Sequence, residues 1–194
     1  MRQTIILKNW CLLLRLRYNL TLIVIRRIVI PMIYNLSNLY AQTDPRWGNE
    51  KLGLSAPADA ILRLDGCAVT AIANLHNALF GSNFTPHDVN QMLIGKQGFV
   101  YDNHGYALLN WAAVPRIFPK LRYVAHDVGY NNPLVWSWIN LFPKVPVIVE
   151  VQLQYSQHFI LFVGDQLMVD SQDGKVKPTS TYPSRIATIR YARA

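Results

Sequence analysis

Acidic residues are missing from the first 43 positions of this 194-residue chain, which hold Arg2, Lys8, Arg15, Arg17, Arg26 and Arg27 instead. Six of the 19 basic side chains sit there, leaving 13 against 11 acids over the remainder. The formal net charge of +8 is therefore gathered at one end. The rest of the chain is nearly neutral and lacks the basic footprint of a nucleic-acid binder. Disorder is excluded as well, because 51% of the residues are apolar and only 15% charged, enough to bury a core. The length suits one domain with a tail.

Cysteine is equally scarce. Cys11 and Cys67 are the only two, and they fall on opposite sides of the apparent domain boundary, which is no disulfide framework. No CxxC or CxxC…HxxxH spacing offers a structural zinc site. No metal or cofactor is expected, and no internal repeat or low-complexity run occurs.

Uninterrupted apolar runs are also lacking. Arg15, Arg17, Arg26 and Arg27 break the N-terminal segment before about 18 apolar residues accumulate, so a simple transmembrane span is not supported. Charges recur inside the apolar region and no A-x-A site follows, which argues against a signal peptide. On a helix, Lys8, Arg15, Asn19 and Arg26 share one stripe, and Arg17 falls opposite. Residues 1–39 thus read as a tail, as translation from upstream of a start near Met32, or as an interfacial anchor. A start near Met32 implies a cytoplasmic domain, and an anchor implies membrane association through residues 1–33.

Residues 40–194 carry the punctuation of one folded domain. "AQTDPRWGNEKLG" is a structured loop. A helix is expected from Cys67 to Phe80, with Val69, Ile72, Ala73, Leu75, Leu79 and Phe80 on its apolar face and Ala71, Asn74 and Ala78 beside Cys67. Thr85 caps a second helix, with Pro86 at its first position and Asp88 three residues on. "GKQGFVYDNHG" reads as loop and "YALLNWAAV" as a short helix that Pro115 ends. "LRYVAHDV" reads as a strand, and a helix opens at Asn132 and Pro133. "VPVIVEVQL", "HFILFVG" and "QLMVD" read as strands, the last two joined by a tight turn at Gly164-Asp165, and "IATIRYA" closes the sheet. Helices first and an antiparallel sheet afterwards make an α+β fold.

Cys67 follows Asp65 and Gly66 at a helix N-terminus, where the backbone N–H groups and the helix dipole favour a thiolate. A buried packing cysteine is the competing reading. A thiol nucleophile needs a base and a group to orient that base. Of five histidines, His76 is too far along the helix, His87 lies in a capped first turn, and His104 and His126 have no partner spacing. His158 opens an apolar strand. Asp170 lies as far after Gly164 as His158 lies before it, so a simple hairpin places the two opposite each other. That arrangement would hold the imidazole tautomer and stabilise imidazolium.

Taken together, "QTDPRWGNEKLG", "DGCAVTAIA", "PVIVEV" and "HFILFVG…LMVD" resemble the peptidase C39-like group of papain-type cysteine peptidases, over roughly residues 40–172. The resemblance implies a papain-like fold with Cys67 as nucleophile, His158 as general base and Asp170 as orienter. Gln42 matches the glutamine of the family's Gln-x-Asp segment and would donate to an oxyanion beside the Cys67 N–H. In the better-known pattern that glutamine lies only a few residues before the cysteine, and here position 61 is Ile. Gln42 as a loop side chain holding the "DPRW" turn stays open, and Trp47 is read as loop packing.

The implied activity is thiol-dependent hydrolysis of a peptide or amide bond, with a peptide or protein as substrate. Two alternatives use the same domain. One is a peptidoglycan-directed amidase or endopeptidase cutting a cell-wall peptide. The other is a non-catalytic module holding a peptide in the cleft or on Trp111, Trp136 and Trp138.

Overall fold

The computed structural model describes residues 34–128, 147–154, 156–182 and 184–194. The chain divides into two compact units, Met1–Met32 and Ile33–Ala194. The first lies outside the described residues, as does the anchor or tail expected there. The boundary expected at 39/40 falls earlier, because residues 35–40 are already tied to the domain. The Asn35 N–H donates to the Ala78 carbonyl at 2.8 Å and Asn38 Nδ2 to the Ser82 carbonyl at 2.9 Å. The Asn74 side chain exchanges two bonds with the Tyr40 backbone, at 2.8 and 3.0 Å.

A short helix α1 (Leu62–Asp65) runs through Gly66 into α2 (Cys67–Phe80). Gly81, at φ 65°, ends α2 in the left-handed conformation that glycine adopts without strain. Helix α2 is not amphipathic in the expected sense, since 12 of its 14 residues are buried. Its buried amides are satisfied instead: Asn74 by Tyr40, and Asn77 by Asn38, Ser82 and Phe84. Asn74 and Ala78, expected beside Cys67, are bonded by the incoming N-terminal segment. Helix α3 (Pro86–Gly95) begins as its residues dictate, with Thr85 and Asp88 forming a reciprocal capping box and Pro86 in the first turn.

The next stretch departs from its expected form. Residues expected as loop and helix form a two-stranded hairpin, β1 (Phe99–Tyr101) with β2 (Ala107–Leu109). Asp102 Oδ1 accepts the N–H groups of His104 and Tyr106, and Gly105 at φ 79° turns the chain back. Aspartate bonding its own downstream backbone is an alternative to helix, and here it wins. Pro115 does not end a helix. It sits in the first turn of α4 (Val114–Ile117), where a missing N–H costs nothing.

Strands β3 (Leu121–Val128), β4 (Val147–Gln152), β5 (Gln157–Gly164), β6 (Leu167–Asp170), β7 (Val176–Pro178) and β8 (Arg185–Arg193) form one antiparallel sheet, in the order β3-β8-β4-β5-β6-β7. The last strand is therefore interior, inserted between β3 and β4. Strand β4 is buried from Val147 to Val151, as its apolar run demands. Helix α2 lies against β5, and Val149, Val151, Ile160, Phe162 and Met168 belong to one core cluster. The fold is α+β, with helices packed on an antiparallel sheet. The helix expected after Asn132 lies outside the described residues, and no described helix is long and apolar enough to cross a membrane.

Candidate active site

Cys67 is fixed by backbone crowding at the α1–α2 junction. A Cβ at Gly66 would stand 2.4 Å from the Leu62 carbonyl oxygen and 2.9 Å from Leu62 Cα. Only glycine fits, and the close passage aims the first turn of α2 at the sheet. Cys67 is a free, buried cysteine there, beside N–H groups that have no acceptor within their own helix.

The hairpin that carries His158 is built differently from the simple turn. Asp165 and Gln166 both adopt positive φ, 47° and 58°, and a bulge falls between Phe162 and Gly164. Asp170 consequently pairs with Ile160 rather than His158. The displacement is two residues, so His158, Ile160 and Asp170 keep one face of the sheet. Across this diagonal the His158 Nε2–H donates to Asp170 Oδ1 at 2.7 Å, and both side chains are buried. That bond leaves Nδ1 for a second partner. Among the described residues, Cys67 is the second group that acts on the ring.

Asp170 is fully engaged. Oδ1 also accepts the Gln172 N–H at 2.8 Å, while Oδ2 accepts the Lys177 ammonium and the Tyr182 hydroxyl. Burial alone would raise its pKa, but the bonds from His158, Lys177 and Tyr182, with the Gln172 N–H, hold the carboxyl well below the usual range. For His158, burial opposes the charged form. The hydrogen bonds and charges of Asp170 and Cys67 outweigh that and lift the imidazole to about 9. Lys177 and Tyr182 were not legible in the sequence. Asp173-Gly174 hints at a turn, but nothing in "KVKP" shows that its second lysine would fold back to Asp170.

A cleft of about 530 Å³ opens over these groups, with Gln42, Cys67 and His158 in its wall. Gln42 is 2% exposed. It does not hold the "DPRW" turn through its side chain. Nε2 donates to the Arg63 carbonyl at 3.0 Å, its backbone N–H donates to the Ser171 carbonyl at 2.8 Å, and Oε1 is buried without a donor. One amide hydrogen remains for a ligand. The turn is closed by Asp44, which accepts the backbone N–H groups of Arg46, Trp47 and Gly48. Trp47 packs as expected, 3% exposed, with Nε1 on the Ala41 carbonyl.

The other candidates lie apart from this cluster. His76 is buried against Phe118, His87 bonds Glu50 at 2.7 Å, and His104 and His126 are exposed. Trp111 lines the cleft beside Phe159, with ring centroids 5.1 Å apart, while Trp136 and Trp138 lie outside the described residues. Among the described residues no group of three or more His, Cys, Asp or Glu is placed to hold a metal ion. No family model, curated protein or solved structure matches the chain.

Proposed function

We propose that this chain is a thiol-dependent peptidase of papain-like fold, resembling the C39-like group. The observation that carries the reading is His158 standing between a buried carboxylate and a helix-terminal thiol at an open cleft.

The chemistry follows from the donors in place. Cys67 sulfur, its proton already passed to His158 Nδ1, attacks the scissile carbonyl carbon. Asp170 keeps Nε2 protonated and stabilises the imidazolium. The Cys67 N–H and the free amide hydrogen of Gln42 receive the oxyanion. Imidazolium then gives its proton to the leaving nitrogen as the C–N bond breaks. Water, deprotonated by His158, opens the thioester to a carboxylic acid, and the thiol regains its proton.

The cleft walls favour a peptide. Leu64, Tyr106, Leu108 and Leu153 line it although their side chains are exposed, which is unusual for apolar groups unless something covers them. Its described wall holds the carboxylates of Asp65 and Asp102 and no lysine or arginine, so cationic peptides are preferred to anionic ones.

The test is mass spectrometry of a peptide library incubated with the protein and with Cys67→Ser, beside a zymogram on bacterial cell walls. Peptide cleavage lost in the folded variant supports the reading. Clearing of the zymogram alone assigns the same residues to a cell-wall peptide. Retained cleavage in Cys67→Ser, or none by the native protein on either substrate, overturns it.

A further inference from the structure

The carboxylate that orients His158 is itself held by side chains from outside its hairpin. Lys177 comes from β7 and Tyr182 from the segment after it, and both bond Oδ2, the oxygen His158 does not use. Lys177 also bonds Asp173 Oδ2 at 2.9 Å. A carboxylate has about four acceptor sites. Here two donors occupy Oδ1 and two occupy Oδ2. The last torsion of an aspartate is soft, so a carboxylate with one bare oxygen turns and shares its acceptors with water. Two donors on the outer oxygen remove that freedom.

We propose that Lys177 and Tyr182 are positioning residues of the reactive site, occupying Oδ2 of Asp170 so that Oδ1 stays committed to His158 Nε2. The inference rests on reading Cys67, His158 and Asp170 as a reactive triad. Neither residue touches a substrate in this scheme, and both act through Asp170.

Lys177 has a second effect. Its ammonium offsets the carboxylate charge, so the imidazolium is stabilised less than it would be by an unaccompanied aspartate. Among the described residues, the charged and titratable groups bearing on the ring are few. They are Cys67 from α2, Asp170 from β6, and behind Asp170 the Lys177–Asp173 pair and Tyr182. Strand β4 pairs Val151 with His158, and the cleft wall that holds His158 also holds Asp65 and Asp102.

The experiment is an NMR titration of the His158 ring, made in a Cys67→Ser background so that thiol ionisation does not enter. Lys177→Gln, which removes the charge and keeps a donor for Oδ2, should raise the His158 pKa by about half a unit or more, and Lys177→Arg should hold it at the native value. Lys177→Met, which removes charge and donor together, should raise it less, because a loosened carboxylate stabilises the imidazolium less. In the Cys67 protein, Lys177→Met and Tyr182→Phe should lower kcat on a cleaved peptide while KM holds. No rise in Lys177→Gln, a rise in Lys177→Met as large as that in Lys177→Gln, or unaltered kcat in both variants of the Cys67 protein, overturns the proposal. The titration needs no turnover. A shifted His158 in a protein that cleaves nothing would therefore sink the peptidase reading and leave the role of Lys177 at Asp170 standing.

Discussion

His158 and Asp170 are hydrogen-bonded at 2.7 Å although they are not cross-strand partners. Asp170 stands opposite Ile160, and His158 reaches it along the diagonal of the hairpin. A slip of two residues preserves the face, whereas a slip of one would have put His158 and Asp170 on opposite sides of the sheet. Diagonal neighbours are within reach of long and aromatic side chains, and imidazole spans the gap.

Gln42 separates two roles that its position combines. Its bond to the Arg63 carbonyl anchors the N-terminal loop, and the proposed mechanism assigns its second amide hydrogen to the oxyanion. Gln42→Ala should lower kcat by about 10²–10³ with little change in KM, the scale of a lost oxyanion donor. It should also cost about 1 kcal/mol of stability for the lost bond. A stability loss with kcat intact would leave Gln42 as a loop anchor only.

Gly66 should tolerate no side chain. Gly66→Ala forces a Cβ against the Leu62 backbone, which cannot yield as a flexible side chain would. A loss of about 1–3 kcal/mol in urea unfolding is expected, together with slower alkylation of Cys67 in the fraction that folds. Native values for both would show that the junction does not set the thiol.

The acid sensitivity of the fold should trace partly to His76. Its ring stacks on Phe118 with centroids 4.0 Å apart and its Nδ1 meets Ser82 Oγ at 2.7 Å. Burial, with the charge of Lys120, pushes its pKa down to about 4 from an ordinary 6.5. Between these values the unfolded chain binds the proton and the folded chain does not, so stability falls as pH drops through that window. His76→Phe should flatten the fall in urea midpoint between pH 7 and 4.5. An equal fall in both proteins would contradict this.

The folding elements that were legible in the sequence owe their form to local chemistry. Thr85, Pro86 and Asp88 start a helix by themselves, and Gly81 ends one, so those boundaries needed no tertiary information. The hairpin at residues 99–109 was missed because its alternation is short and an Asx turn at Asp102 competes with helix. The site was legible as residue types but not as register, since Asp165 and Gln166 adopt a left-handed turn that neither residue advertises. Lys177 and Tyr182 were invisible because their contact with Asp170 is made by tertiary folding across β7.

The carboxylates on the cleft wall should make the thiol charge-selective. A cationic methanethiosulfonate should modify Cys67 faster than an anionic one of similar size, with a neutral reagent as reference. Asp65→Asn should narrow the ratio, roughly twofold to tenfold. A ratio unchanged by Asp65→Asn would remove this carboxylate from substrate selection.

The central claim is that His158 activates Cys67, and the rate of carbamidomethylation of that one residue measures it most directly. With iodoacetamide at pH 7 and peptide mapping, Cys67 of the native protein should react about tenfold faster or more than Cys67 of a folded His158→Ala variant. Equal rates in the two proteins would mean that the imidazole does not act on the thiol, and the triad would fall.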